Sequence, residues 1–190
     1  ESEIKKLINF VRGIDAYDEN KDLNTADERE WKLGDIYHSE MAIVGPPKAI
    51  DTELAGDTNT EEYLKLQNGY QAFIDANASR ETMVYVGAND GMLHAFQLED
   101  DPATADSEDG EELWAWIPGY LLERDHDAEW AGRLVDMMLY GRTFLFDGTP
   151  VYEDVWIDDN GNNEKDCESV PDDCEWHRVL VVQQGKGGPV

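Results

Sequence analysis

Basic residues are scarce in this chain. Fifteen Lys and Arg stand against 43 Asp and Glu, a net charge of −28 over 190 residues. A surface that negative repels phosphate backbones, which excludes nucleic acid as a partner, and it repels anionic bilayers in the same way. It attracts cations, divalent ones most strongly. Long apolar runs are missing too: nothing approaches the roughly 20 residues of a membrane-spanning helix, so no membrane insertion is expected in this segment. No signal-peptide pattern is read among these residues, but both ends, Glu1 and the glycine-rich run to Val190, read as cuts through a longer protein, so this does not argue against secretion. Cysteine is reduced to Cys167 and Cys174. No histidine lies near them at metal spacing, which disfavours zinc. In a reducing compartment the pair would be incidental; in a secreted chain it closes a short disulfide loop, the preferred reading. Catalytic signatures are absent as well. Asp35, His38 and Ser39 are too close in sequence for a triad, no nucleophile elbow surrounds Ser39, and Gly185-Lys-Gly-Gly188 lacks the full phosphate-loop pattern. Enzymatic activity is not expected.

What the chain does contain suits a folded domain. Hydrophobic residues make up 41%, with six Trp, eight Tyr and five Phe to fill a core. Ile4, Leu7, Ile8 and Val11 repeat at spacings of three and four, predicting a helix over 3–12 that Gly13 ends. A short strand is expected at 41–45. The best helical pattern covers 60–77, with Thr60 as cap, Glu61 and Glu62 in the first turn, and Tyr63, Leu66, Tyr70, Phe73 and Ile74 on one side. Then β signals take over. Residues 83–87 and 92–96 alternate around Ala88-Asn-Asp-Gly91, a turn whose residues tolerate positive φ. Residues 112–117 form a third strand, with Leu113, Ala115 and Ile117 on one face and Trp114 and Trp116 on the other. A short helix is expected near 120–123, a hairpin of 143–146 with 150–157 around Asp147-Gly148, an acidic loop over 158–175, and a last strand from Trp176 to Val182. Of the histidines His38, His94, His126 and His177, His94 lies within a strand and reads as packed and hydrogen-bonded. The fold class is mainly β: part of a β-propeller with one or two accessory helices.

Two acidic loops carry the candidate chemistry. Calcium takes six to eight oxygens, and a loop curling round it presents side chains at alternate residues. Counting Asp158 as position one, Asn160, Asn162, Glu164 and Asp166 fall at positions three, five, seven and nine, with the seventh expected to offer its backbone carbonyl. The loop departs from an EF-hand in having Asn163 at position six and Ser169 at position twelve, so Glu168, Asp172, Asp173 or water would complete the set. The second loop is Asp18, Asn20, Asp22 and Asn24, with Asp27 within reach, Lys21 inside it and no glycine. The competing reading of both is a solvated acidic turn.

The stretch Met83-Val-Tyr-Val-Gly-Ala-Asn-Asp-Gly-Met-Leu-His-Ala-Phe96 resembles the blade motif of quinoprotein-type propellers, in the form found in the PilC/PilY type IV pilus tip proteins. Trp31-Lys-Leu-Gly-Asp-Ile-Tyr-His-Ser39, Glu112-Leu-Trp-Ala-Trp-Ile-Pro-Gly119 and Asp147-Gly-Thr-Pro-Val151 follow the same family in order, and the 60–77 helix sits where the family has one. The resemblance implies that 1–190 is part of one propeller domain, with 1–80 a lead-in and 81–190 about one and a half to two blades. It also implies calcium binding through a loop of alternating Asp and Asn, an extracellular or cell-surface, pilus-associated location, and a role in adhesion, pilus assembly and surface sensing. The implied partners are pilus subunits or minor pilins and a host or surface ligand. Two alternatives stay open: a structural subunit of an extracellular filament that pairs through open sheet edges, and a fragment of a quinoprotein dehydrogenase.

Overall fold

The computed structural model describes residues 3–98, 110–122, 145–164, 167 and 174–185. Helix α1 spans Glu3–Val11. It buries Phe10 and packs Leu7 and Val11 against Leu121 and Leu145, while Ile8, expected on the apolar stripe, is exposed. The stripe through positions 7, 10 and 11 is the one that meets the rest of the molecule. The chain then turns at Gly13, and an isolated bridge between Ile14 and Glu28 closes the acidic loop between them. The Arg29 guanidinium lies 3.7 Å over the Phe10 ring and fixes the end of that loop to α1.

Strand β1 is Ala42–Val44. A 3-10 turn at Leu54–Gly56 follows, and then the single helix expected over 60–77 appears as two. Helix α2, Glu61–Gln67, is capped as expected by the Thr60 hydroxyl, which accepts from the Tyr63 N–H at 3.2 Å. Helix α3 is Tyr70–Ala76. The break between them falls at Gly69, which has φ +72°. A Cβ at Gly69 would stand 2.9 Å from Cys167 Cβ. The backbone therefore needs glycine both for its left-handed conformation and for the close approach. The break also frees the Asn68 carbonyl, which accepts the Trp176 indole N–H at 2.7 Å. Tyr70 and Phe73 of α3 form a core cluster with Cys174 and Trp176.

Strands β2 (Met83–Gly87), β3 (Leu93–Gln97) and β4 (Glu112–Trp116) follow. They extend β1 into a four-stranded antiparallel sheet in the order β1-β2-β3-β4. The β2–β3 turn is closed by Ala88 N–H donating to the Met92 carbonyl at 3.0 Å. Register puts Val44, Met83, Tyr85, Ala95, Trp114 and Trp116 on one face. Leu113 is skipped in the β3–β4 register, so it leaves the alternation expected of it. Trp114 and Trp116 are 43% and 53% exposed; among the described residues β4 pairs only with β3, and the Trp114 ring meets that of Tyr85 at 5.7 Å between centroids. The short helix α4, Gly119–Leu122, is present near the expected place.

Of the strand expected at 143–146, residues 143 and 144 lie outside the described residues, and neither Leu145 nor Phe146 pairs with residues 150–157. Strand β5 (Val151–Trp156) pairs along its whole length with β6 (Trp176–Val181), a separate two-stranded antiparallel sheet. Leu145 and Phe146 are not in a strand, and both are fully buried instead of alternating. Phe146 seats its ring against Gly87, where a Cβ would lie 2.6 Å from the ring. Asp147 N–H donates to the Gln184 carbonyl, so this segment runs beside the end of β6. The fold is mainly β with short accessory helices, more of them than the one or two expected. Among the described residues neither sheet closes on itself, as suits a portion of a β-propeller.

Candidate functional site

The loops at 158–164 and 18–24 have different sequences but share one hydrogen-bond pattern. In the first, Asp158 at position one accepts from the N–H of Asn163 at position six, 3.0 Å, and from Gly161 at 2.6 Å. Asn160 at position three accepts from Asn162, 2.9 Å, and Asn162 at position five accepts from Glu164, 2.7 Å. In the second, Asp18 accepts from Leu23, 3.1 Å, Asn20 from Asp22, 3.1 Å, and Asp22 from Asn24, 2.8 Å. In both, position six is left-handed: Asn163 has φ +61° and Leu23 has φ +69°. This is the place where an EF-hand loop uses glycine for its sharp turn. The missing glycine, a departure on sequence grounds, is therefore met by conformation. Asparagine tolerates it readily, and leucine does so under strain.

The donors suit a hard cation, because they are carboxylates and amides with no sulfur or imidazole among them. The second loop adds a particular observation: Asp27 Oδ1 is shut off from water with no hydrogen-bond partner, while Asp27 Oδ2 accepts from Asn20 Nδ2 at 3.4 Å. A buried carboxylate oxygen without a donor is costly unless something positive meets it. Among the described residues, no three His, Cys, Asp or Glu side chains are brought together as a metal-holding group. Asp166, the last candidate of the first loop, lies outside the described residues, as do Glu168, Ser169, Asp172, Asp173 and His126.

The base of the first loop is firmly built. Cys167 and Cys174 form the disulfide, packed against the Tyr70, Phe73 and Trp176 cluster. Ile157 N–H donates to the Glu175 carbonyl at 2.9 Å, and the Trp156 indole donates to the Glu175 carboxylate at 2.8 Å. The loop thus leaves and re-enters the β5–β6 sheet through paired strands and a cross-link. Behind that sheet is an ion pair that sequence reasoning missed. Arg178 Nε and Nη2 each donate to Asp154 at 2.6 Å, Tyr70 Oη donates to the same carboxylate at 2.6 Å, and Arg178 Nη1 also donates to the Gly45 carbonyl. Burial would raise the Asp154 carboxyl, but the hydrogen bonds from Arg178 and Tyr70 outweigh it and hold the group below its ordinary value. Burial first, then Asp154, pushes the Tyr70 phenol up. The only signal of this pair in the sequence is an alternation that puts Arg178 between Trp176 and Leu180, legible once β5 is known to be the partner strand.

His94 is packed and hydrogen-bonded, as expected, between Asp90 and Glu112. The near-triad of the lead-in is not one. His38 Nδ1 lies 2.9 Å from Asp147. The Ser39 hydroxyl donates to the Glu40 carbonyl and accepts the Gly87 N–H at 3.0 Å, a structural role. Among the described residues, no helix is long and apolar enough to cross a membrane.

Comparison with known proteins agrees with this architecture. The family model described as the PilY1 beta-propeller domain matches residues 33–188. The type IV pilus biogenesis factor PilY1 of Pseudomonas aeruginosa strain PAK is 30% identical over 179 residues, which is 94% of this chain and 12% of that protein. Its counterpart in strain UCBPP-PA14 is 28% identical over 183 residues, 95% of this chain and 12% of that protein. A PilY1 homolog of Xylella fastidiosa is 30% identical over 188 residues, 96% of this chain and 10% of that protein. The chain therefore spans about a tenth of the length of these curated relatives. No solved structure matches it.

Proposed function

Because the chain belongs to the PilY1 β-propeller family, we propose that it is a calcium-binding, non-enzymatic propeller segment of a type IV pilus biogenesis factor, acting outside the cell in adhesion and pilus assembly. Its partners on this reading are pilus subunits or minor pilins and a host or surface ligand. The four-stranded sheet is one blade and β5–β6 is part of the next. The observation that carries the calcium reading is the shared loop geometry: two unrelated stretches fold to the same pattern with a left-handed sixth residue. Asp158, Asn160, Asn162, Glu164 and Asp166 would hold one ion, and Asp18, Asn20, Asp22 and Asn24, with Asp27, a second. The ion supplies positive charge to carboxylates that otherwise repel one another in a chain of net charge −28. It stabilises the folded form by linkage, about 2.7 kcal/mol at a hundredfold excess over Kd.

Calorimetric calcium titration with thermal melts in calcium and in chelator tests this. Saturable binding to one or two sites with a raised Tm is expected. Asp158→Ala and Asp18→Ala should each remove binding at their own loop with the strands intact. Unchanged titrations in both variants would reduce the loops to solvated turns.

A further inference from the structure

His94 stands in the middle of β3, 2% exposed, and both of its ring nitrogens meet a carboxylate. Nε2 lies 3.1 and 3.0 Å from the two oxygens of Asp90 in the β2–β3 turn, and Nδ1 lies 2.6 Å from Oε1 of Glu112 on β4. A neutral imidazole has one N–H, so only the imidazolium donates to both. The other neighbours are apolar. Val86 is opposite on β2, Ala115 is opposite on β4, and the Phe96 ring is stacked at 5.9 Å on the same strand. Asp90 from the turn and Glu112 from β4 are thus the titratable groups that face the ring among the described residues.

The two carboxylates are not equivalent. Asp90 is buried and committed: it also accepts the Gly34 N–H at 2.7 Å and the Met92 N–H at 3.0 Å. The Glu112 side chain is 42% exposed and has water at hand. We propose that Asp90, His94 and Glu112 form a proton-operated latch that fastens the edge strand β4 to the sheet. With the ring doubly protonated, Glu112 is pinned across to β3. On deprotonation the proton leaves for water from Nδ1, because Asp90 is fixed in place and keeps the N–H of Nε2. The Nδ1 lone pair then faces the Glu112 carboxylate, which swings to solvent. The β3–β4 pairing loosens next to Leu113, where its register is already interrupted. The strand released is the one that carries Trp114 and Trp116.

Burial disfavours the charged ring, but Asp90 and then Glu112 outweigh it and raise the His94 pKa above its ordinary value. A raised folded pKa means the latch is fully closed below the unfolded value of about 6.5 and opens as pH rises through the folded one. The test is an NMR titration of the His94 ring with amide-exchange protection of residues 113–116, corrected for base catalysis, in the whole chain and in Glu112→Gln. The expected result is a His94 pKa above 6.5 and protection in β4 that falls as the ring deprotonates. Glu112→Gln lowers that pKa by about one unit and removes the pH step, because one of the two facing charges is gone. A ring that titrates at or below 6.5 overturns the proposal. So does β4 protection indifferent to pH, or a pH step that survives in Glu112→Gln.

Discussion

Arg178 is the side chain whose loss should tell most about how the two sheets are held. It reaches from β6 to Asp154 on β5 through two charge-assisted hydrogen bonds and to the Gly45 carbonyl just beyond β1. Asp154 is 7% exposed, so Arg178→Met leaves a buried carboxylate hydrogen-bonded to the Tyr70 hydroxyl and without its paired guanidinium. Breaking a buried pair from one side costs about 3–5 kcal/mol. Tyr70→Phe removes one hydrogen bond to the same carboxylate while Arg178 still neutralises it, and should cost about 1.5 kcal/mol. The double variant Asp154→Asn/Arg178→Met has no uncompensated charge and should be about 2 kcal/mol more stable than Arg178→Met alone, a coupling that additivity would not give. Urea unfolding of the wild-type chain, these three variants and Asp154→Asn measures these differences at constant m-value. Acid adds a second readout. The Asp154 pKa is depressed in the folded chain, so its contribution is present above the unfolded value of about 3.9 and fades as pH falls through the folded one. The gap between the wild-type chain and Asp154→Asn should narrow below about pH 4. An Arg178→Met cost no greater than that of Tyr70→Phe, or a strictly additive double variant, would refute the reasoning.

Three further outcomes follow from local geometry. Gly69→Ala forces a left-handed alanine and places a Cβ against Cys167, and should cost about 2 kcal/mol by chemical unfolding; a change under half of that would mean the α2–α3 break adapts freely. Leu23→Gly should do the opposite. Leu23 is 90% exposed and held at φ +69°, so relief of strain should exceed the added unfolded-state entropy and raise stability by about 0.5 kcal/mol, visible as a small rise in Tm. Replacing Cys167 and Cys174 together by Ser opens a loop of sequence separation seven and should lower stability by about 2 kcal/mol, with a similar loss in a parallel sample of the parent chain kept reduced.

The parts of the fold legible in the sequence were those set by neighbours along the chain. Asn89, Asp90 and Gly91 between two alternating runs are enough to specify β2 and β3, and Thr60 with Glu61 and Glu62 is enough to start α2. The alternating Asp and Asn of the two acidic loops announce their turns, because each side chain bonds a backbone N–H only a few residues on. Where a partner lies far off, the sequence was silent. The break at Gly69 does not show in the helical pattern of 60–77, because its reason, Cys167, is 98 positions away. Leu145 and Phe146 passed for a strand because two adjacent apolar residues do not reveal that both are packed against the first sheet, Phe146 over Gly87. The Asp154–Arg178 pair and the His94 clamp depend on strand register, which no single segment states.

The bonds between the lead-in and the second sheet have a consequence for the order of folding. His38 meets Asp147 and Glu40 meets Thr149 across 109 residues each, Trp176 meets Asn68 across 108, and Arg178 meets Gly45 across 133. Closing loops of that size costs roughly 4 kcal/mol of chain entropy before any contact is gained. The β2–β3 hairpin can assemble in microseconds from local contacts. The 34–45 segment must wait for Asp147 and Thr149, 109 residues further along, and for Arg178 of β6, 133 residues beyond Gly45. Its Tyr37 and Met41, exposed even in the folded chain, add to the apolar surface that the segment shows while it waits, which marks it as a point a chaperone can hold.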